Sequence, residues 1–311
     1  MNSSIAHTYN RKPIRFTHGK GIYLYASDGK KYIDLASGIA VNILGHSNIS
    51  LINALKEQSK KLWHISNLYE IPEQEILAKK LTDLCFADKV FFCNSGAEAV
   101  ECSIKAARRY HFSMGNKNKN TIITFQGSFH GRTLGTLAAA NNTSHLEGFG
   151  RPLDGFVSIE RDNIDQLIDV INDNTAGILL EPIQGEGGIN QFSHDFINSM
   201  EKIVKDKNIL LMVDEVQSGM ARTGKMFAHQ WHNIQPNIMA LAKGLGGGFP
   251  VGACLMEKRI ADALVPGTHG STFGGNPLAM AVGIKVIESV SSKDFMLEVT
   301  NKSNYILSEL N

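Results

Sequence analysis

One lysine stands where its amine could serve as a nucleophile. Lys243 follows the apolar stretch 238–242 and opens the glycine-rich run Gly244-Leu245-Gly246-Gly247-Gly248. Lysines normally sit at the surface, but these apolar neighbours weaken that reading. An amine stripped of part of its hydration loses proton affinity and can form a Schiff base with a carbonyl. Asp214 lies 29 residues earlier, at the end of the apolar run 209–213. A carboxylate at the buried end of a strand is costly unless it meets a cation or hydrogen-bond donors. A nucleotide-site aspartate is excluded, because the chain contains no G-x-x-x-x-G-K-[ST].

Three further segments follow apolar runs in the same way. Asn94-Ser95-Gly96-Ala97-Glu98 comes after 90–93 and begins a long amphipathic pattern. The first N–H groups of a helix are open donors at its positive end and suit a phosphate. An ordinary N-cap, with Glu98 in a capping box, is the competing reading. After 121–125 comes Gln126-Gly127-Ser128-Phe129-His130-Gly131-Arg132-Thr133. Phe129 could cover a flat ring and Arg132 could fork a carboxylate; a core-facing Phe with a solvated Arg is the alternative. After 177–180 comes Glu181-Pro182-Ile183-Gln184-Gly185-Glu186-Gly187-Gly188. It places two carboxylates about a turn, and its glycines do not reproduce G-x-G-x-x-G. A phosphate cup, a ring cover, a carboxylate for a pyridinium nitrogen and a Schiff-base lysine together are what pyridoxal phosphate requires. A nicotinamide enzyme is disfavoured, since no apolar run leads into a full dinucleotide fingerprint.

These segments need a scaffold that gathers them. Residues 21–35 alternate about an Asp28-Gly29 turn and predict a β-hairpin. Helical patterns cover 51–62, 72–84 and 96–112, with Pro72 suited to a first helical turn. The short apolar runs 90–93, 121–125, 177–180, 209–213 and 251–256 predict buried strands. Strands alternating with helices predict an α/β fold, a mostly parallel sheet with helices on both faces. Ligands of such sheets bind at the carboxyl ends of the strands. A last helical region spans 277–290 and 294–310.

Composition narrows the partners. The 311 residues are 43% hydrophobic and 20% charged, with 31 basic and 30 acidic side chains. A formal net charge of +1 gives no global field for nucleic acid or an acidic membrane. No apolar run approaches the roughly 18 residues of a membrane span, and residues 1–15 lack the apolar core of a signal peptide. A cytoplasmic protein is expected. Cys85, Cys93, Cys102 and Cys254 show no C-x-x-C spacing and read as small buried apolar residues. His229 and His232 lie three apart with no third ligand nearby, so no metal site is expected.

The stretches SGIAVNILGH, SNLY, ADKVFFCNSGAEAVE, GSFHGRTLG, EPIQGEGG, LLMVDEVQSGMARTG, ALAKGLGGGFPVGA and HGSTFGGNPLA resemble the class III pyridoxal-phosphate aminotransferases. They run in the family's order from about residue 21 to 290. The resemblance implies a fold-type-I transferase with a seven-stranded, mostly parallel sheet in a large domain, residues 51–276. A small α/β domain would come from both chain ends, 1–50 and 277–311, with its C-terminal part missing. Lys243 would carry the Schiff-base link, and Asp214 would keep the pyridine nitrogen protonated. Gln217 would bond the ring's phenolic oxygen, with Glu215 and Val216 also on the cofactor. Ser95, Gly96 and Ala97 would bind the phosphate, joined by Thr272 of a second subunit, and Phe129 would stack on the ring. Arg132 and Ser271 would contact substrate. Glu186 would be the switch glutamate, pairing with an arginine from the missing part. The implied activity is transamination between N-acetylornithine and 2-oxoglutarate, a step of arginine biosynthesis, in a homodimer with shared sites. The alternatives are a relative that takes ornithine, 4-aminobutyrate or succinyl-diaminopimelate, or a cofactor-binding remnant with little turnover.

Overall fold

A computed structural model describes residues 4–310. A small antiparallel sheet comes first: β1 (Phe16–Lys20), β2 (Tyr23–Ala26) and β3 (Lys31–Ile33). The β2–β3 turn carries Asp28 and Gly29, with Gly29 at φ +83°. The predicted hairpin is therefore present, and β1 is added to it; the polar sequence of β1, FTHGK, gave no strand signal.

The main sheet is built from β4 (Lys89–Cys93), β5 (Thr121–Phe125), β6 (Phe156–Ile159), β7 (Thr175–Leu180), β10 (Leu210–Asp214), β11 (Ile238–Leu241) and β12 (Gly252–Met256). A two-residue ladder, β8 (Ile183–Gln184) with β9 (Asn190–Gln191), stands apart. The order across the seven strands is β4-β12-β11-β10-β7-β5-β6. β12 runs antiparallel to both neighbours and every other pairing around it is parallel. The expected mostly parallel, seven-stranded α/β sheet is thus observed.

The strands are apolar on both faces because both faces are covered. In β10, Leu211 and Val213 join one core and Leu210 and Met212 the other, following the two-residue period of a strand. Each is at most 2% exposed, and full burial of such a side chain stabilises by about 1.5–3 kcal/mol. The helix Gly96–Ser113 lies on the second face through Val100, Ile104 and Ala107. The helices Pro72–Thr82 and Pro277–Val290 cover the first through Leu77, Leu81, Met280 and Val286. No helix is long and apolar enough to cross a membrane among the described residues.

Six strands therefore point one way, and the chain leaves β4, β5, β7, β10 and β11 at one edge. β12 enters from that edge, because it is reversed. Residues 94–98, 126–133, 181–188, 214–217 and 242–243 are brought together by this arrangement alone.

Near that edge the backbone departs from ordinary geometry. Ser37, Gly38, Ile39 and Ala40 form a left-handed turn, with φ of 53°, 65°, 62° and 63°. Met220 and Ala221 follow at 58° and 62°, and Lys243 at 42°. A non-glycine residue held there crowds its Cβ against a carbonyl oxygen and costs about 1–2 kcal/mol.

Candidate active site

The strand ends enclose a cavity of about 370 Å³. Its walls include Ser95, Gly96, Ala97, Phe129, Glu186, Asp214, Val216, Gln217 and Lys243. Nine of the expected residues therefore share one space, although they come from five separate stretches of chain.

Ser95 caps the helix Gly96–Ser113, its Oγ accepting from the N–H of Glu98 at 3.3 Å. The Glu98 carboxylate accepts from the N–H of Asn94, not of Ser95, so only half of a capping box forms. The N–H groups of Gly96 and Ala97 have no intrahelical acceptor by position and open toward the cavity. Gly96 is required there, since a Cβ would fall 2.6 Å from Cγ1 of Val216. The start of the helix thus packs directly against Val216. Gly131 plays a similar part on the opposite side, at φ +129° with space for no Cβ beside Ala97.

Asp214 is 4% exposed and ends β10. Its Oδ1 accepts from the N–H of Val216 at 3.0 Å. Its Oδ2 lies 2.8 Å from Nδ1 of His130, a ring buried completely. Burial opposes a charge on His130, but the hydrogen bond to Asp214 and the nearby carboxylates outweigh it and raise its pKa above 6.5. Nε2 of His130 is buried with no protein partner. Sequence reading singled out this histidine only as part of a polar loop and gave it no role. Its partner lies 84 residues away, and no local pattern marks the pair.

Glu181 is the second residue that sequence reading left without a role. It is 5% exposed and lines the cavity. Its Oε2 accepts from the N–H of Phe129 at 2.9 Å and so holds the loop that carries the ring cover. Burial pushes its pKa from 4.5 up to about 7, helped by Asp214 and opposed by His130. The signal was its place as the first polar residue after β7.

Lys243 begins a short 3₁₀ turn and projects from a left-handed backbone. Burial lowers its pKa from 10.5; Glu186, Asp214 and Glu181 oppose the shift, and the charge of Arg222 reinforces it. Partial desolvation thus favours the neutral, nucleophilic amine, against the pull of the carboxylates.

Other expected residues stand differently. Glu215 does not line the cavity. It is fully buried, and its carboxylate accepts from Ser218 Oγ, the N–H groups of Ala228 and His229, and bonds His229 Nδ1 at 3.0 Å. It braces the loop after β10, because alternate residues of an extended segment face opposite ways. Gln217 donates from Nε2 to Glu186 Oε1 at 3.2 Å, so Glu186 has a neutral partner within this chain. Arg132 is exposed at the rim, its guanidinium 5.6 Å from the Phe129 ring centre and Nη2 3.2 Å from His145 Nε2. Ser271 stands one residue back, its Oγ accepting from Asn94 Nδ2 at 3.1 Å. Ser271 and the exposed Thr272 line a separate recess with His64, Asn67 and Leu68. His229 is occupied by Glu215, and His232 stands against His194, Nδ1 to Nδ1 3.2 Å. Cys93, Cys102 and Cys254 are buried and Cys85 partly so, with burial pushing the Cys85 thiol up to about 11.

This donor set fits pyridoxal phosphate. The open N–H groups of Gly96 and Ala97 would take the phosphate. Phe129 and Val216 would border the ring, the buried Asp214 would meet a ring N–H, and Lys243 would meet the carbonyl.

The comparisons with known proteins point the same way. Residues 4–311 match the family described as aminotransferase class-III. The acetylornithine aminotransferase of Brucella melitensis biotype 1 is 53% identical over 292 residues, covering 94% of this chain and 72% of its own. The N-acetylornithine aminotransferase of Stenotrophomonas maltophilia K279a superimposes with a TM-score of 0.82 at 37% identity, over 96% of this chain and 74% of that one. The ornithine aminotransferase of Toxoplasma gondii, crystallised with partial occupancy of PLP at its active site, gives 0.90 at 30% identity, over 94% and 70%. A family match over nearly all the chain, relatives this similar and a cavity shaped for the cofactor lead to one conclusion: the chain belongs to the class III aminotransferases, which use pyridoxal 5′-phosphate.

Proposed function

We propose that the chain transfers an amino group from N-acetylornithine to 2-oxoglutarate, giving N-acetylglutamate 5-semialdehyde and glutamate. The observation that carries this is the meeting of Lys243 and Asp214 in one cavity, in a chain 53% identical to an acetylornithine aminotransferase. Bound pyridoxal phosphate supplies a carbonyl that accepts the amine and a protonated ring that withdraws electrons. Lys243 Nζ would anchor the cofactor at its carbonyl and, as a free amine, would move a proton from the substrate carbon bearing the amine to the cofactor's carbonyl carbon. Asp214, hydrogen-bonded to His130, would accept from the ring N–H. Gly96 and Ala97 would hold the phosphate with Ser95, and Phe129 would keep water from the ring face. Arg132 at the rim grips a substrate carboxylate, and Glu186 with Gln217 borders the distal end.

We also infer a homodimer. Thr272 is exposed and lies outside its own chain's cavity, beside Leu68 and Phe273, which are 89% and 59% exposed. A second copy covering this face would bring Thr272 to the partner's phosphate. We infer that the segment before residue 51 and the final helix Lys293–Leu310 contribute to a small domain, whereas the helix Pro277–Val290, expected in it, packs on the main sheet through Met280 and Val286.

Borohydride added to the cofactor-loaded protein should lock the cofactor on the peptide containing Lys243. An adduct elsewhere, or none, overturns the assignment. N-acetylornithine should bleach the cofactor's visible colour faster than ornithine, 4-aminobutyrate or succinyl-diaminopimelate. A faster response to one of those names the other donor.

A further inference from the structure

Three left-handed segments converge beside the cavity. The turn Ser37–Ala40 is tied at its start, where the Ser37 N–H donates to Asp34 Oδ1 at 2.9 Å. Ser37 Oγ donates to the Asn42 carbonyl at 2.9 Å, and the N–H groups of Val41 and Asn42 both donate to the Ser37 carbonyl at 2.9 Å. Val41, the next residue after the turn, lines the cavity opposite the strand ends. Met220 and Ala221 form the second segment and Lys243 the third. Gly244, next to Lys243, packs against the second segment and against the chain just past the first: a Cβ there would lie 3.1 Å from Met220 Cβ and 3.5 Å from Ile43 Cδ1.

Arg222 joins these segments. It directly follows Met220 and Ala221, and its Nη2 donates to the Ala40 carbonyl at 2.9 Å, 182 residues away. That carbonyl closes the left-handed turn. Arg222 is partly buried and forms no ion pair among the described residues. Its far side opens on a second cavity lined by Ser193, His194, Thr223 and His232, without a carboxylate. A guanidinium buried with no counter-ion is unfavourable unless its place gains something. Here it bonds a carbonyl whose conformation the local chain would not keep unaided.

We propose that Arg222 is a positioning residue for the reaction, latching the strained turn Ser37–Ala40 so that Val41 closes one wall of the substrate cavity. The latch acts on the substrate wall, since the phosphate cup lies on another element and the Arg222 guanidinium is bonded to the Ala40 carbonyl rather than to Asp214 or Lys243. This rests on the functional reading above, but its first test does not.

Hydrogen exchange in cofactor-loaded wild type, Arg222→Gln and Arg222→Lys reads the latch directly. The Val41 and Asn42 amides should exchange at least about tenfold faster in Arg222→Gln. The Lys variant, which keeps a charged donor, should fall between. Cofactor affinity should not change. In steady state, KM should rise about tenfold for both donor and acceptor, with kcat within about twofold, the mark of lost uniform binding. Unchanged exchange at Val41 and Asn42 in folded Arg222→Gln overturns the proposal. So does a loss of cofactor affinity in step with KM, which would make Arg222 a general brace. If Arg222→Gln does not fold, Arg222→Lys must show the faster exchange and raised KM, and wild-type values in it overturn the latch. A wild-type protein that loads cofactor but turns over no donor would refute the function, while the exchange result still decides the latch.

Discussion

Replacing Glu181 by Gln should remove a pH dependence from the stability of the cofactor-free protein. Glu181 is 5% exposed, and burial is the main cause that lifts its pKa from 4.5 to about 7. The folded state therefore binds this proton more tightly than the unfolded chain does. The contribution to stability is complete below pH 4.5 and is lost as pH rises through 7. A difference of about 2.5 pKa units at about 1.36 kcal/mol each gives about 3 kcal/mol across that window. Glutamine keeps an acceptor for the Phe129 N–H and never ionises. Urea unfolding at pH 4.5, 6 and 8 should therefore show equal stabilities at the acid end. At pH 8 the variant should be the more stable by about 3 kcal/mol. His130 also has a raised pKa and so loses stabilisation as pH rises, but it is present in both proteins and cancels to first order. Two curves that stay parallel from pH 4.5 to 8 would refute the argument. They would mean that Glu181 remains ionised in the fold, held by His130 and the Phe129 N–H.

Asp214→Asn removes the charge that faces His130 and the ring nitrogen. Losing one partner of a buried pair costs about 3–5 kcal/mol, and this should appear as a fall in kcat with cofactor still bound; wild-type turnover would count against the pairing. Lys243→Ala and Thr272→Ala, each inactive alone, should regain activity after subunit exchange, because one site of the mixed dimer carries neither defect. No recovery in confirmed mixed dimers would argue for a site contained in one chain.

Much of the architecture was legible without coordinates. The apolar runs at 121–125 and 277–290 coincide with β5 and with a helix, residue for residue. The others shift by one to three residues, because end positions are set by caps and ladders rather than by period. β6 and β11, four residues each, were not among the predicted strands, although 238–242 was noted as apolar. The rule that ligands meet strand ends selected the correct five loops, and nine expected residues line one cavity. Ser95, Gly96, Phe129, Asp214 and Lys243 could be picked because each follows an apolar run, which is a local property of the chain. The electrostatics could not be read this way. His130 meets Asp214 across 84 residues, Glu181 meets the Phe129 N–H across 52, and Arg222 meets Ala40 across 182. Glu215, adjacent to Asp214, turns to the other side of the chain and braces a loop. Composition and period determine which segments become strands and helices, because those depend on neighbours a few residues apart. The raised pKa of Glu181, the pairing of Asp214 with His130 and the hold on a strained backbone depend on groups that only the folded sheet brings within 3 Å of each other.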